Sequence, residues 1–491
     1  MQYLKNLEPK KVFEFFEYIS SVPRGSGNTK AVSDLCVKFA KERSLDVYQD
    51  SLNNVIIRKP ATPGYEDAPV VVLQGHLDMV CAKTDTCSKD MAAEAIDLTH
   101  DDKYVFAKDT TLGGDDGIAV AYALAILDSD YIKHPALEAV FTVDEETGMD
   151  GACGIDANEI KGRILLNIDS EEEGIFTCGC AGGCRINGLL PITRTTAPQN
   201  GKYFEIVLKG LKGGHSGSDI NKQPASSNHI MGRILHELYE TCEFNLYDLD
   251  GGKFDNVITG STKAVICVDV VDGTKIDALN SFIKAYDNEL RSEYGTINPD
   301  IELSISECTE NNSDALGVLD IDSTKRVFDT VYLVRQGVIE MDPNLKGMVQ
   351  TSQNLGVLKL NDNSFKICFL VRSSIEAQKK TAIECVTTLI KLMGGSVSYT
   401  GNYPGWKYEP DSKLRELCVR IYKEQYGTDP VVTTIHAGLE CGIFADKLKD
   451  LDAISIGPNI LDIHTPRERL DIASVERVWK FVLKVLESFK P

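Results

Sequence analysis

Several features that define other classes of protein are scarce in this sequence of 491 residues. The longest unbroken apolar run, 118–127, has ten residues, whereas a membrane-spanning helix needs about 20. The first twenty residues carry charges throughout and lack the apolar core of a signal peptide. We therefore expect a cytoplasmic protein with no membrane-spanning segment.

Cysteine and positive charge are also limited. The 14 cysteines are too dilute for a disulfide scaffold, and without an export signal we interpret them as reduced thiols. Lys plus Arg number 52 against 73 for Asp plus Glu, which gives a net charge of −21. Such a surface repels phosphate backbones and anionic lipids, so we expect no nucleic acid and no membrane as partner. It is compatible with metal cations and small substrates.

The first part of the chain, 1–186, alternates helical patterns with short apolar runs. This alternation predicts an α/β domain with a mostly parallel sheet and helices on both faces. Segment 117–127 is too long and too rich in alanine for a strand and is apolar nearly all round, which predicts a buried helix. Strands are predicted at 54–58, 69–73, 137–143 and 163–168.

The middle of the chain, 187–400, has a different pattern. Runs such as 203–209, 263–270 and 365–372 alternate clearly between apolar and polar residues, which predicts antiparallel strands with one covered face and hence a separate α+β domain. After 401 the α/β pattern returns and continues to 491. The simplest arrangement is one catalytic α/β domain, 1–186 and 401–491, interrupted by an inserted domain.

Imidazole and carboxylate groups follow the predicted strands of the α/β part. Open parallel sheets bind ligands beyond the carboxyl ends of their strands, so we expect these groups to meet at one edge of one sheet. The groups are His76 with Asp78, Asp115 with Asp116 before the buried helix, Glu145 with Glu146, Asp169, and His464.

Two histidines and at least three carboxylates form a ligand set for borderline divalent ions, zinc first, with cobalt or manganese possible. The charge balance favours two ions: Asp115, Glu146 and Asp169 supply −3, and two divalent ions leave +1, which one hydroxide cancels. Asp115, in the central loop, is the natural bridge. Paired ions lower the pKa of a shared water and polarise a carbonyl, so the pattern predicts a hydrolase.

Each of these residues also has a simpler interpretation. His76 could be an ordinary histidine at a strand end, but Asp78 lies two positions on and can hold the second imidazole nitrogen. Glu145 and Glu146 could form a solvated acidic loop. Placed after a buried strand, they point in different directions, so one can bind metal while the other takes a proton from water. The acid pair before the buried helix could simply cap it.

Three cysteines, Cys178, Cys180 and Cys184, have a metal-like spacing. No fourth ligand lies at a suitable distance in the sequence. We therefore interpret them as buried thiols.

Four segments together resemble the aminoacyl-histidine dipeptidases (peptidase D) of the co-catalytic di-zinc metallopeptidase clan. These segments are 75–80, 111–117, 144–149 and 167–171, and the resemblance extends from 22–24 to 435–442 and 463–466. It implies two zinc ions, each held by one histidine and one carboxylate, with a bridging acid. The implied ligands are His76 and Asp169 for one ion, Glu146 and His464 for the other, and Asp115 as the bridge.

The same resemblance implies the catalytic and substrate-binding groups. Asp78 would orient His76, and Glu145 would be the general base. The inserted domain would act as a lid, and whether His436 or Glu440 also binds substrate is left open. The implied lid and substrate residues are His215 for the oxyanion of the tetrahedral intermediate, Asn256 and Arg372 for the substrate carboxylate, and Gly438 for backbone contacts.

One position departs from the family pattern. The residue after the bridging acid, often Asn in the family, is Asp116 here. Its extra negative charge could change the metal preference or leave open which acid bridges. The alignment of the motif favours Asp115.

The sequence therefore predicts a metal-dependent dipeptidase that cleaves Xaa-His and related dipeptides, β-alanyl-histidine included. The main alternative is an N-acyl-amino-acid amidohydrolase of the same clan, which would need an apolar acyl pocket instead of a partner for the substrate amine. A non-catalytic metal-binding scaffold is a remote alternative, because no predicted ligand or base is missing. Related enzymes are often dimers, so the resemblance makes a homodimer a candidate assembly.

Overall fold

The computed structural model describes residues 3–271, 273–308 and 317–490. The chain divides into two compact units. The first consists of Met1–Cys180, Trp406–Thr434 and Leu439–Pro491, and the second of Ala181–Gly405 and Ile435–Gly438. The boundaries predicted at 187 and 400 fall a few residues inside those of the second unit, whereas the short segment Ile435–Gly438 was not anticipated.

The first unit is built on an eight-stranded sheet flanked by helices. Its strands, in sheet order, are Asp46–Gln49, Val55–Lys59, Leu137–Thr142, Val71–His76, Ile164–Asn167, Asp452–Ser455, Ile175–Cys180 and Val431–Ile435. A smaller sheet contains Ile460–Leu461, Arg469–Asp471, Tyr104–Ala107 and Leu98–His100. The α-helices are Lys10–Ile19, Lys30–Glu42, Gly114–Asp128, Glu145–Gly148, Asp150–Gly154, Lys413–Tyr426, Glu440–Lys447 and Ile472–Glu487.

The centre of this sheet is parallel, as predicted. Val71–His76 runs parallel to Leu137–Thr142 on one side and to Ile164–Asn167 on the other. Asp452–Ser455 extends the parallel set, and Val55–Lys59 joins it antiparallel. Every residue of Val71–His76 and of Leu137–Thr142 is buried, as expected for strands covered by helices on both faces.

The predicted buried helix is Gly114–Asp128, which packs against Val71–His76 and Lys10–Ile19. Its residues from Gly114 to Leu127 are all buried, which explains why its sequence has no polar face. The backbone at Asp115 and Asp116 is not helical. The acids therefore lie in a kinked entry to the helix and not in its first regular turn.

The second unit is an α+β structure around an antiparallel sheet. Its strands, in sheet order, are Glu302–Glu307, Gly201–Lys209, Thr262–Asp269, Asn245–Gly251, Val349–Leu360, Ser364–Ser373, Gly182–Pro191 and Ser396–Tyr403, with Gly337–Met341 paired to Val349–Leu360. Two short pairs are Arg194–Thr195 with Val318–Leu319 and Gly214–His215 with Val257–Ile258. The helices are Ser227–Thr241, Thr274–Tyr294, Ile321–Leu333 and Glu376–Leu392.

The strand Ser364–Ser373 differs from its prediction on one face. The face that carries Phe365 and Phe369 is fully buried, as the alternation predicted. On the opposite face Lys366 is exposed, but Leu370 and Arg372 are buried. The second half of the strand is therefore buried on both faces, so the prediction of one covered face holds only for its first half.

None of the helices in the described ranges is long and apolar enough to cross a membrane.

Candidate metal centre

The predicted ligands of the first unit lie at the carboxyl ends of neighbouring parallel strands. His76 is the last residue of Val71–His76, and Asp169 follows Ile164–Asn167 by two positions. Glu145 begins the short helix just after Leu137–Thr142. Since these three strands are adjacent in the sheet, the fold brings together side chains that are far apart in the sequence.

Asp115 lies between the two predicted histidine ligands. Its Oδ1 is 3.0 Å from His76 Nε2, and its Oδ2 is 3.1 Å from His464 Nε2. His464 Nε2 is also 3.0 Å from Glu146 Oε2, and His76 Nε2 is 3.4 Å from Asp169 Oδ1. One acid thus joins two groups, each with one imidazole and one further carboxylate.

Asp78 lies behind His76, on the side away from this cluster. His76 Nδ1 is 3.1 Å from the backbone oxygen of Asp78 and 3.4 Å from its Oδ1. The Asp78 carboxylate also accepts hydrogen bonds from the Ser26 hydroxyl, at 2.8 Å, and from the backbone N–H groups of Glu145 and Glu146, at 3.1 and 3.3 Å. These contacts suit the predicted role of Asp78 in orienting the imidazole, and they connect it to the start of the loop that carries the predicted base.

Crowding of charged groups sets the pKa values in the cluster. Burial opposes the charge on His76, but the carboxylates of Asp169 and Asp115 raise its pKa well above the ordinary value. Hydrogen bonds to Asp115 and Glu146 raise the pKa of His464 to about 10. Burial raises the pKa of Asp169 to about 7 and that of Glu145 well above its ordinary value. Metal binding at the groups whose pKa is raised must therefore displace protons.

The donor set fits divalent metal ions. Three sets of residues each have ligand atoms that lie within 4.8 Å of one another inside the set. The sets are His76 with Asp116 and Asp169, His76 with Glu145 and Glu146, and Asp115 with Glu146 and His464. Glu146 Oε1 is buried and has no hydrogen-bond partner among the described residues. A buried carboxylate oxygen without a donor is costly unless a cation balances it.

Asp116 has a different environment from Asp115. Its Oδ2 accepts the backbone N–H of His76 at 3.2 Å, and a Cβ on Gly75 would lie only 2.4 Å from that oxygen. Glycine at position 75 is therefore required for this approach. Burial and the nearby charge of Asp169 raise the pKa of Asp116 well above its ordinary value. Of the two acids, Asp115 is the one that contacts both imidazoles.

Arg24 supports the loops that carry His76, Asp78 and Asp115, a role that the sequence did not indicate. The guanidinium is buried and donates to the backbone oxygens of Leu77 and Asp78, at 2.9 and 3.1 Å, and to that of Gly113. Arg24 belongs to a segment that carried the family resemblance, but nothing in the local sequence pointed to partners more than 50 positions away.

Glu440 is part of a buried polar layer beneath the ligands. Its Oε2 accepts hydrogen bonds from Gln74 Nε2 at 2.5 Å and from Thr142 Oγ1 at 2.6 Å, and Asn167 Nδ2 donates to Gln74 Oε1 at 2.6 Å. Burial raises the pKa of Glu440 to about 7. The Oε2 contacts favour a supporting role, whereas Oε1 is buried without a hydrogen-bond partner among the described residues.

His215 lies in the second unit, in a glycine-rich loop. Gly213 has a φ of +61°, and Gly214–His215 pairs with Val257–Ile258. The Nδ1 of His215 accepts the backbone N–H groups of Gly217 and Ser218, at 3.3 and 3.2 Å. With Nδ1 acting as acceptor, the neutral ring carries its proton on Nε2, and burial lowers the pKa of His215.

Asn256 and Gly438 belong to the same unit as His215. The backbone oxygen of Asn256 accepts the N–H of Ser216 at 2.9 Å, so Asn256 is adjacent to the His215 loop. Gly438 ends the segment Ile435–Gly438.

Arg372 is a buried cation without a carboxylate partner in the described part of the chain. It is 7% exposed, its Nη1 donates to the Tyr403 hydroxyl at 3.2 Å, and its Nε has no hydrogen-bond partner there. The nearby His436 contacts Ser352 Oγ at 2.7 Å, and burial together with Arg372 lowers the pKa of His436 to about 3. A guanidinium beside a neutral imidazole is suited to an anionic ligand.

The three closely spaced cysteines are buried free thiols, as interpreted from the sequence. Burial raises the pKa of Cys178 to about 12 and that of Cys180 to about 11. They therefore remain protonated at neutral pH.

Comparisons with known proteins identify the family. Residues 72–488 match peptidase family M20/M25/M40. The chain is 36% identical over 487 residues to the cytosol non-specific dipeptidase of Escherichia coli (strain K12), with 99% of each protein covered. A crystal structure of aminoacylhistidine dipeptidase from Vibrio alginolyticus superimposes with a TM-score of 0.93 at 35% identity, covering 99% of this chain and 98% of that one.

A more distant structure shares the fold alone. Aminopeptidase PepT from Bacillus cereus matches with a TM-score of 0.57 at 15% identity, covering 99% of this chain and all of that one. The family match and the 36% identity together show that the chain belongs to peptidase family M20/M25/M40.

Proposed function

We propose that this member of family M20/M25/M40 is a dipeptidase that uses two divalent metal ions, zinc by preference. The observation that carries the proposal is the position of Asp115, whose two carboxylate oxygens lie 3.0 and 3.1 Å from two different imidazoles. His76 and Asp169 would hold one ion, and His464 and Glu146 the other. Both relatives at about 35% identity are named as dipeptidases.

The ions, when bound, would lower the pKa of a water molecule and polarise the scissile carbonyl. Glu145 is the proposed general base: it takes a proton from the water and passes it to the leaving amine. Burial raises the pKa of Glu145, which suits a group that must hold a proton during the reaction. Asp78 keeps His76 in the orientation that presents Nε2 to the cluster.

The second unit contributes the proposed groups for the substrate. Arg372 would bind the free carboxylate of the dipeptide, with Asn256 and the backbone at Gly438 as further contacts. His215 would donate from Nε2 to the oxyanion of the tetrahedral intermediate. The support for these roles is the family resemblance, the absence of a hydrogen-bond partner for Arg372 Nε in the described part of the chain, and the tautomer of His215.

We propose Xaa-His dipeptides, β-alanyl-histidine included, as substrates, with broader dipeptides accepted. The name of the Vibrio alginolyticus relative supports histidine at the second position, and that of the Escherichia coli relative supports a broader range. The latter name also supports a cytosolic location. The homodimer implied by the resemblance stays a prediction, which light scattering of the purified protein would test.

The test is a substrate panel. Purified protein is incubated with Ala-His, β-Ala-His and N-acetyl-His, with and without added zinc, cobalt or manganese, and free histidine is followed. Metal-dependent release from the two unblocked dipeptides supports the proposal and identifies the usable ion. Release from N-acetyl-His alone would instead assign the chain to the amidohydrolases of the clan.

A further inference from the structure

Glu468, which the proposed reaction does not use, makes an unusual set of contacts beneath the metal centre. Its Oε2 accepts the backbone N–H groups of Leu112 and Gly113, at 2.8 and 3.0 Å. Its Oε1 accepts those of Gly114 and Asp115, at 2.7 and 3.4 Å. One carboxylate, 3% exposed, thus binds four consecutive peptide N–H groups that end at the bridging acid.

The loop 112–115 is shaped for this contact. Gly113 has a φ of +69°, and a Cβ there would lie within 3 Å of Arg24 and of Met79. A Cβ on Gly114 would lie 3.2 Å from Glu468 Oε1. Arg24 donates to the oxygen of Gly113 while Glu468 accepts from its N–H. Because glycine has no Cβ, Arg24 and Glu468 can both approach this loop closely and bind its backbone.

Glu468 is also tied to His464. Only four positions separate the two residues. The turn between them contains two hydrogen bonds: Glu468 N donates to Thr465 O at 3.1 Å, and Arg467 N donates to Thr465 Oγ1 at 3.2 Å. The His464 side chain is 45% exposed, and its backbone has a φ of +60°. Apart from the contacts of its Nε2 with Asp115 and Glu146, the position of His464 depends on how this turn is anchored.

We propose that Glu468 is a positioning residue that fixes the separation between Asp115 and His464, and so controls the affinity of the ion held by His464 and Glu146. It binds the backbone of the Asp115 loop with its carboxylate and carries His464 on its own turn. Charge-assisted hydrogen bonds to backbone N–H groups are about twice as strong as neutral ones. This inference rests on the proposed metal pair.

The test measures metal affinity directly. Apo-protein, Glu468→Gln and Glu468→Asp are titrated with zinc in the presence of a chromophoric chelator, and the two stepwise affinities are extracted. Gln presents an NH₂ group to N–H donors and so loses two of the four acceptor contacts, while Asp is one methylene too short to reach all four. Changes in outer-shell partners typically cost 10–100-fold in metal affinity. We expect a loss of this size for one ion and little change for the other.

The matched control is Glu424→Gln, an exposed glutamate on the helix Lys413–Tyr426, which should bind both ions as the parent does. Thermal unfolding of the metal-free proteins separates a loss of affinity from a loss of fold, and if Glu468→Gln does not fold, Glu468→Asp decides. Unchanged affinities for both ions in a folded variant, or equal losses for the two ions, would overturn the inference. A parent that binds two ions but cleaves no dipeptide would overturn the proposed function and leave this inference standing.

Discussion

Asp115 and His464 are in contact through Oδ2 and Nε2 at 3.1 Å, although 349 positions separate them in the chain. The other oxygen of Asp115 lies 3.0 Å from His76 Nε2. A carboxylate shared between two imidazoles in this way is suited to bridge two cations.

The first prediction separates the two neighbouring acids. Asp115→Asn should weaken the binding of both ions by more than roughly 100-fold. Loss of a residue that only orients a ligand already lowers metal affinity about 10–100-fold, and Asp115 is a proposed ligand of both ions. Asp116→Asn should bind both ions, because an amide oxygen can still accept the backbone N–H of His76. Elemental analysis after dialysis measures the metal content of each. The opposite pattern would make Asp116 the bridge.

The second prediction concerns the general base. Glu145→Gln should keep both ions and lose about 10²–10⁴-fold in turnover, the usual contribution of a positioned base. Initial rates with Ala-His and the metal content are measured on the same sample, with exposed Glu416→Gln as the control. Turnover equal to that of the parent would remove Glu145 from the mechanism.

The third prediction concerns pH. The pKa of His464 is raised to about 10 and that of His76 well above its ordinary value, so both imidazoles are protonated near neutral pH before metal binds. Ligation requires neutral imidazole. Binding should therefore release a proton from each ring, and affinity should rise with pH. Calorimetry in two buffers of different ionisation enthalpy counts these protons; binding without release would contradict the proposed ligands.

The fourth prediction concerns the substrate carboxylate. Arg372→Ala should raise KM by roughly 10- to 100-fold, because a hydrogen bond to a charged group contributes about 1.5–3 kcal/mol. Replacing Ala-His by its C-terminal amide should raise the KM of the parent by a similar factor. The same replacement should raise the KM of Arg372→Ala little further. Arg291→Ala, which changes an exposed helix residue, is the control. If the amide is penalised equally in both proteins, Arg372 does not bind the carboxylate.

The grouping of the candidate ligands could be predicted from the sequence because these residues lie at strand ends. His76 and Asp169 each follow an apolar run, and parallel strands place such positions at one edge of the sheet. The buried helix was recognisable because Gly114–Asp128 has no polar face. These signals depend on a few neighbouring residues, and the structure agrees with them to within a few positions.

The supporting residues could not be predicted in this way. Glu468 contacts backbone groups more than 350 positions away, and Arg24 contacts Gly113 across 89 positions. An isolated glutamate or arginine is usually a solvated surface residue, so neither gave a signal of its own. The non-helical backbone at Asp115 also escaped prediction, because the acids lie where ordinary helix-capping residues are expected.

The most direct test of the account joins metal content to activity. The protein is stripped of metal with a chelator and reloaded stepwise with the ion identified by the substrate panel, and bound ions per chain and histidine release from Ala-His are measured on each sample. The account predicts that release rises with loading and reaches its maximum at two ions per chain. Full activity in protein that retains no ion, or no release from any dipeptide at two ions per chain, would contradict it.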